Sequence, residues 1–267
     1  MNFSGKNVLI SGGSSGIGLA IAKLMASKGA NTTLLARRKN LLEEAAQQVK
    51  EKHILDDQQV SIISSDVSDF DRLQASLKAT KTSYDILVNS AGIAYPGLFY
   101  EMEPEIFKKV VDINYLGTVN LSKLLVPAMI DKREGYIVNI SSLAALIGIY
   151  GYTAYAPSKY AVRGFSHCLR AELKPYGIYV SVAYPPDTDT PQLAFERSRI
   201  PDITRKITEG GGLMSPEKVA EVILKGIEKK KFTIIPGFEG KVLYRLAPFF
   251  DNYMYRQAVR LASKSLK

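Results

Sequence analysis

The sequence predicts an α/β fold: a doubly wound, seven-stranded parallel sheet with helices on both faces. Three observations carry this. Short apolar runs recur along the chain, each followed by a stretch with apolar residues at helical spacing. A glycine-rich turn joins the first apolar run to the first helical stretch. The composition, 46% hydrophobic and 23% charged over 267 residues, is that of a soluble globule with a sizeable core.

The elements follow in order. Residues 6–11 (KNVLIS) form a buried strand, and 16–27 carry a helical apolar pattern. Residues 31–36 (NTTLLA) are the second strand and 41–51 a helix. Residues 60–64 (VSIIS) are the third strand, and 69–80 a helix capped by Ser68 or Asp69. Residues 85–88 are the fourth strand, 104–130 one long or two abutting helices, and 136–140 the fifth strand. A helix spans 153–174, and 178–183 is the sixth strand. Ser215 caps a helix with Pro216 at its first position, running to about residue 230. Residues 232–235 are the seventh strand. No linker or internal repeat divides the chain, so residues 1–267 read as a single domain. Residues 185–214 break the rhythm with three early prolines and Gly210, Gly211 and Gly212. So long a connection is expected to be a substrate lid.

The single cysteine, Cys168, excludes a disulfide framework. With only His53 and His167 beside it, a Cys/His zinc site is not expected, and no metal is. No apolar run approaches the ~18–20 residues that span a bilayer, and the N-terminus leaves no room for a signal peptide. A cytoplasmic protein is expected. Net charge is +9. Residues 240–267 form a basic, aromatic C-terminal extension with six basic residues against one acid, Asp251. Such an end suits phosphate-bearing partners or is a solvated helix face. Pro248 is expected to split it into two short helices, with Arg256, Arg260 and Lys264 on one face of the second and Phe249, Phe250, Tyr253 and Met254 in its first turns. Peripheral membrane contact through this end is expected, against packing on a partner subunit; no nucleic acid is.

Gly12, Gly16 and Gly18 let the backbone turn sharply and approach a pyrophosphate at the helix N-terminus, with Ser14, Ser15 and Ile17 in the same turn. The string Gly12-Gly13-Ser14-Ser15-Gly16 also matches a hydrolase nucleophile elbow. Against that, it follows the first strand, and its only candidate bases are His53 and His167. After the second strand, where an acid would bind the ribose of NAD, stand Arg37 and Arg38. Basic residues there suit a 2′-phosphate, hence NADPH. A solvated basic patch is the alternative.

Tyr155 and Lys159 are four residues apart on one helix face. A lysine beside a phenol favours phenolate and lowers its pKa, fitting it for proton exchange with a carbonyl or alcohol. Ser142 ends the fifth strand, Asn89 to Gly92 end the fourth at the same sheet edge, and Asn114 lies in the following long helix. Together with Asp66 and Val67, these motifs fall in the order found in the short-chain dehydrogenase/reductase family, which the chain resembles along essentially its whole length.

That resemblance implies a Rossmann fold and a set of roles. Tyr155 would protonate the carbonyl oxygen as hydride arrives. Lys159 would lower the Tyr155 pKa and hold the nicotinamide ribose. Ser142 would bond the substrate oxygen, and Asn114 would hold a relay water near Lys159. Asp66 and Val67 would contact adenine, Asn89 and Ala91 would line the cofactor channel, Thr188 and Thr190 would meet the nicotinamide amide, and Pro185 would belong to the same cofactor site. Pro186 stands where the family usually has glycine. The string Pro185-Pro186-Asp187-Thr188-Asp189-Thr190-Pro191 resembles the 3-ketodihydrosphingosine reductase branch. The implied substrate is a lipophilic ketone, a long-chain 3-keto sphingoid base. The alternatives are a steroid or acyl ketone, or a non-catalytic NADP-binding regulator. The family also implies a homo-oligomer, dimer or tetramer, paired through 104–130 and 153–174.

Overall fold

The structure, a computed structural model, describes residues 1–208 and 212–265. Gly210 and Gly211 of the expected lid, with Glu209, lie outside the described residues, as do Leu266 and Lys267 of the basic end. Seven parallel strands form one sheet in the order β3-β2-β1-β4-β5-β6-β7. They are β1 Asn7–Ser11, β2 Asn31–Ala36, β3 Val60–Ser64, β4 Ile86–Asn89, β5 Gly135–Ile140, β6 Ile178–Ala183 and β7 Thr233–Ile234. The helices α1 Gly16–Ala26, α2 Lys39–Lys50, α3 Phe70–Thr80, α4 Pro104–Val111, α5 Gly117–Lys132, α6 Tyr155–Leu173 and α9 Pro216–Glu228 fall close to the expected ranges.

The strands read as unbroken apolar runs because both faces are buried. Val8 and Ile10 of β1 face the layer containing Ile21 and Met25 of α1 and Ile223 of α9. Leu9, between them, faces the opposite layer with Leu73 of α3 and Leu121 of α5. Strands β4 and β5 repeat the alternation: Ile86, Val88, Tyr136 and Val138 go one way, Leu87 and Ile137 the other. Burying each such aliphatic side chain contributes about 1.5–3 kcal/mol, and the same burial fixes strand register.

Side-chain caps set several helix starts. Asp69 accepts from Arg72 N–H at 3.1 Å, and Ser215 accepts from Lys218 N–H at 3.3 Å with Pro216 behind it. The 104–130 stretch is helical throughout, as expected, and runs on to Lys132 with one irregularity. A five-residue π-turn, Asp112–Leu116, separates α4 from α5 and carries Asn114 at its centre. Such wide turns shift the register of one helix segment against the next.

The expected lid is more ordered than a loop. It contains α7 Pro191–Arg197 and α8 Asp202–Thr208. Thr190 starts α7, its Oγ1 accepting from Leu193 N–H at 3.3 Å. The two ends of the segment are stitched together: Asp189 N–H donates to Met214 O and Met214 N–H to Asp187 O, both at 3.0 Å. The chain then ends in α10, Phe238–Ser265, bent at Leu246 (φ −113°, ψ 18°). Pro248 is the cause, because it has no N–H and crowds the carbonyl of Tyr244. The expected two helical arms are therefore present.

Candidate active site

Connections leave β1 and β4 toward opposite halves of the sheet, so a crevice opens beyond the carboxyl ends of these neighbouring strands. A cleft of about 1830 Å³ occupies it. That exceeds the ~300–1,000 Å³ of a small-ligand pocket, leaving room for a dinucleotide and a second molecule.

The glycine-rich turn forms its floor. Gly12 has φ +67°, and a Cβ there would lie 2.7 Å from the Ser90 carbonyl oxygen. A Cβ on Gly18 would collide with the carbonyl oxygen of Gly12. These glycines let the turn, α1 and the β4 exit close on one another. Ser15 caps α1 without a side-chain hydrogen bond, so the first N–H groups of the helix keep their pull on an anion. Gly12, Ser14, Ser15, Gly16, Ile17 and Gly18 all line the cleft.

Arg37, Arg38, Asp66 and Val67 line the same cleft at the ends of β2 and β3. The Arg37 guanidinium lies 3.7 Å from the Asp66 carboxylate. Both groups are substantially solvated, so the pair orients Arg37 more than it stabilises the fold. A close-approach turn, an uncapped helix start and two rim arginines fit a phosphorylated dinucleotide. The hydrolase alternative fails here, because neither His53 nor His167 lines the cleft that contains Ser14.

Ser142, Tyr155 and Lys159 converge from β5 and α6, as expected. The Ser142 Oγ accepts from Ala144 N–H at 3.1 Å, which fixes it at the start of a single tight turn. Lys159 Nζ donates to Ile140 O at 3.0 Å and sits 5.7 Å from the Tyr155 ring centre. Ala91, Pro185, Thr188 and Thr190 also line the cleft, with Thr188 Oγ1 donating to Pro186 O at 2.8 Å.

One expected channel position sits elsewhere. Asn89 does not line the channel. It is buried, donating from Nδ2 to Asn139 Oδ1 at 2.8 Å and so bracing β4 against β5. Asn114 is buried next to Lys159, and its side-chain amide is committed. Its Oδ1 accepts from Ile93 N–H at 2.8 Å, and its Nδ2 reaches Ile93 O and Ser158 Oγ, each at 2.9 Å. It clamps the β4 exit to α6 beside Lys159. A Cβ on Gly92 would lie 3.3 Å from Asn114 Oδ1 and 3.4 Å from Lys159 Nζ.

The electrostatics correct a second expectation. The Tyr155 pKa stands above its ordinary value, not below it. Burial pushes the phenol well above its ordinary value, and the Glu196 carboxylate pushes the same way. Hydrogen bonds with Ser142 and Gln192 pull it back only partly. Burial also brings Lys159 down to about 8. Tyr155 is thus a protonated donor.

Glu196, Gln192, Tyr152 and Asp187 are cleft residues that the sequence did not single out. Tyr152 Oη donates to Glu196 Oε2 at 2.7 Å, and Gln192 Nε2 donates to Glu196 Oε1 at 3.0 Å. The only signal was Gln192 and Glu196 at i and i+4, which matters only once α7 is known to be helical. Leu193, Phe195, Ile200 and Ile207 line the cleft as candidate apolar contacts.

The family model for short chain dehydrogenases matches residues 6–200. A zebrafish (Danio rerio) 3-dehydrosphinganine reductase is 42% identical over 250 residues, covering 92% of this chain and 75% of the relative. A mouse (Mus musculus) 3-ketodihydrosphingosine reductase is 42% identical over 247 residues, covering 91% and 74%. A solved short-chain dehydrogenase from Sphingobium yanoikuyae in complex with NADPH is 26% identical with TM-score 0.77, covering 87% of this chain and 88% of that one. The matched span takes in the glycine-rich turn, Ser142, Tyr155 and Lys159, and the chain belongs to the short-chain dehydrogenase family, as an oxidoreductase acting on CH–OH groups.

Proposed function

We propose that this chain is an NADPH-dependent reductase that converts 3-ketosphinganine, a long-chain 2-amino-3-ketone, to sphinganine. The observation that carries the reading is one continuous cleft. It holds the Arg37 and Arg38 rim, the Ser142, Tyr155 and Lys159 group, and an apolar wall including Ile147, Leu193, Phe195 and Ile200. The relatives above 40% identity carry names for this reaction.

The glycine-rich turn and α1 start would hold the pyrophosphate, Arg37 and Arg38 the 2′-phosphate, and Lys159 the nicotinamide ribose. When bound, the cofactor supplies hydride to the carbonyl carbon. Tyr155, kept protonated by burial, gives its proton to the carbonyl oxygen, while Ser142 donates a hydrogen bond to that oxygen. Lys159, with a pKa near 8, is placed to resupply the phenol. The stitched segment 185–214 would act as a lid carrying the alkyl-chain contacts.

Two finer features belong to the same reading. One is a homo-oligomer paired through the helical stretches 104–130 and 153–174, supported by the family resemblance. The other is contact between α10 and an anionic membrane surface. No helix among the described residues is long and apolar enough to cross a membrane. Yet Phe249 is 76% exposed and Tyr255 68%, while Leu243, Tyr244, Ala247 and Met254 pack inward. Phe249, Tyr253, Arg256, Arg260 and Lys264 fall on one stripe of the second arm, aromatic first and basic after. Phe250 and Met254 also line the cleft, so a lipid substrate would meet the site close to the surface that carries it.

Four outcomes are expected. Purified protein oxidises NADPH with 3-ketosphinganine and forms sphinganine, in preference to steroid and short-chain ketones. Tyr155→Phe lowers that rate by about 10²–10⁴ while NADPH still binds; near-normal turnover in this variant would refute the acid role. Arg37→Ala raises the KM for NADPH roughly tenfold to a hundredfold, the loss of one charge-assisted bond, and leaves NADH kinetics nearly unchanged. With anionic liposomes the protein co-sediments at low salt and is released by salt, since each base near such a surface contributes about 1 kcal/mol. A protein that stays in the supernatant at low salt has no such contact.

A further inference from the structure

Glu196 presents a problem in physical chemistry. It is 8% exposed in the cleft wall, where an isolated carboxylate is costly. Two neutral donors, Tyr152 and Gln192, hold its oxygens, but among the described residues no cation forms an ion pair with it. Three arginines of its own segment are engaged elsewhere. The Arg199 guanidinium lies 4.0 Å over the Phe195 ring, Arg205 pairs with Asp202 at 3.9 Å, and Arg197 acts on Asp187. Lys159 attracts it through space, but its amine is bonded to the Ile140 carbonyl.

The carboxylate is also close to the chemistry. Gln192 bonds Glu196 and also acts on the Tyr155 phenol, and the Tyr152 and Tyr155 rings are 5.8 Å apart. The group that Tyr155 protonates is therefore presented next to a buried negative charge. A plain ketone gives that charge nothing. A ketone with an ammonium on the adjacent carbon places a cation two bonds from the carbonyl carbon.

We propose that Glu196 is a specificity residue for the substrate: its carboxylate, oriented by Tyr152 and Gln192, receives the ammonium group of a 2-amino-3-ketone as the carbonyl meets Tyr155 and Ser142. This rests on the reductase reading above and adds to it the group that separates amino ketones from other lipophilic ketones. Partnering the buried carboxylate removes its desolvation cost, and a substrate without the amine leaves that cost in place. Discrimination of this kind, by a site group left unpaired, is larger than that from fit of an alkyl chain alone.

The test compares two ketones of equal chain length: 3-ketosphinganine and 1-hydroxyoctadecan-3-one, which lacks the amine. In the wild type kcat/KM is at least tenfold higher for the amino ketone. Glu196→Gln, which keeps the shape and a carbonyl acceptor for Tyr152, cuts that ratio at least tenfold, with the loss on the amino ketone mainly in KM. A second measurement needs no variant: wild-type protein binds sphinganine at least tenfold more tightly than octadecane-1,3-diol. Three results would overturn the proposal. Both ketones are reduced with a ratio that Glu196→Gln leaves intact and sphinganine binds no better than the diol, in which case the reductase reading stands. Asp187→Asn, and not Glu196→Gln, abolishes the ratio, and the carboxylate is the wrong one. Neither ketone is reduced by the wild type, and the reductase reading falls together with this inference.

Discussion

Exclusion of water from one corner of the cleft governs the behaviour of this protein. Tyr155, Lys159 and Glu196 are each buried, and burial opposes the charged form of every one of them. The consequence for Tyr155 is a phenol that keeps its proton. The consequence for Lys159 is an amine close to its neutral range. The consequence for Glu196 is a carboxylate whose pKa rises and whose charge waits for a partner. None of these properties belongs to a single residue; each follows from the dry pocket that β5, α6 and α7 make together.

That pocket depends on close backbone approach. The turn after β1 can lie against the β4 exit only because Gly12 and Gly18 have no Cβ. On the other side, Asn114 ties Ile93 to Ser158, and Ser141 Oγ donates to the Lys159 carbonyl at 2.9 Å. The π-turn that carries Asn114 interrupts the helix at the point where this clamp is needed. The segment after β6 adds a further wall. A Cβ on Gly16 would lie 3.0 Å from Thr190 Cγ2, so the capping residue of α7 sits directly on the glycine-rich turn.

Much of this was legible in the residues. Strands buried on both faces leave continuous apolar runs, so all seven could be placed. Gly12, Gly16, Gly18, Ser142, Tyr155 and Lys159 occupy the cleft as their spacing implied. What stayed hidden depends on tertiary context. Helices α7 and α8 have seven residues each, too short for apolar periodicity to declare them. The partner of Glu196, Tyr152, is 44 positions away along the chain. Asn89 looked like a channel residue because it ends β4, but its side chain turns to Asn139 in the sheet interior. The Tyr155 pKa was misjudged because the i, i+4 lysine was weighed and the loss of solvent was not.

The central claim is that burial, rather than the neighbouring lysine, sets the protonation state of Tyr155. It is tested most directly by following the tyrosine ring-carbon resonances in labelled protein through a pH titration, with Tyr155→Phe assigning the signal. The account predicts that Tyr155 keeps its proton past the ordinary phenol pKa of about 10 and ionises only well above it. Ionisation of Tyr155 below that value would show that the Lys159 charge outweighs desolvation, and would contradict the account.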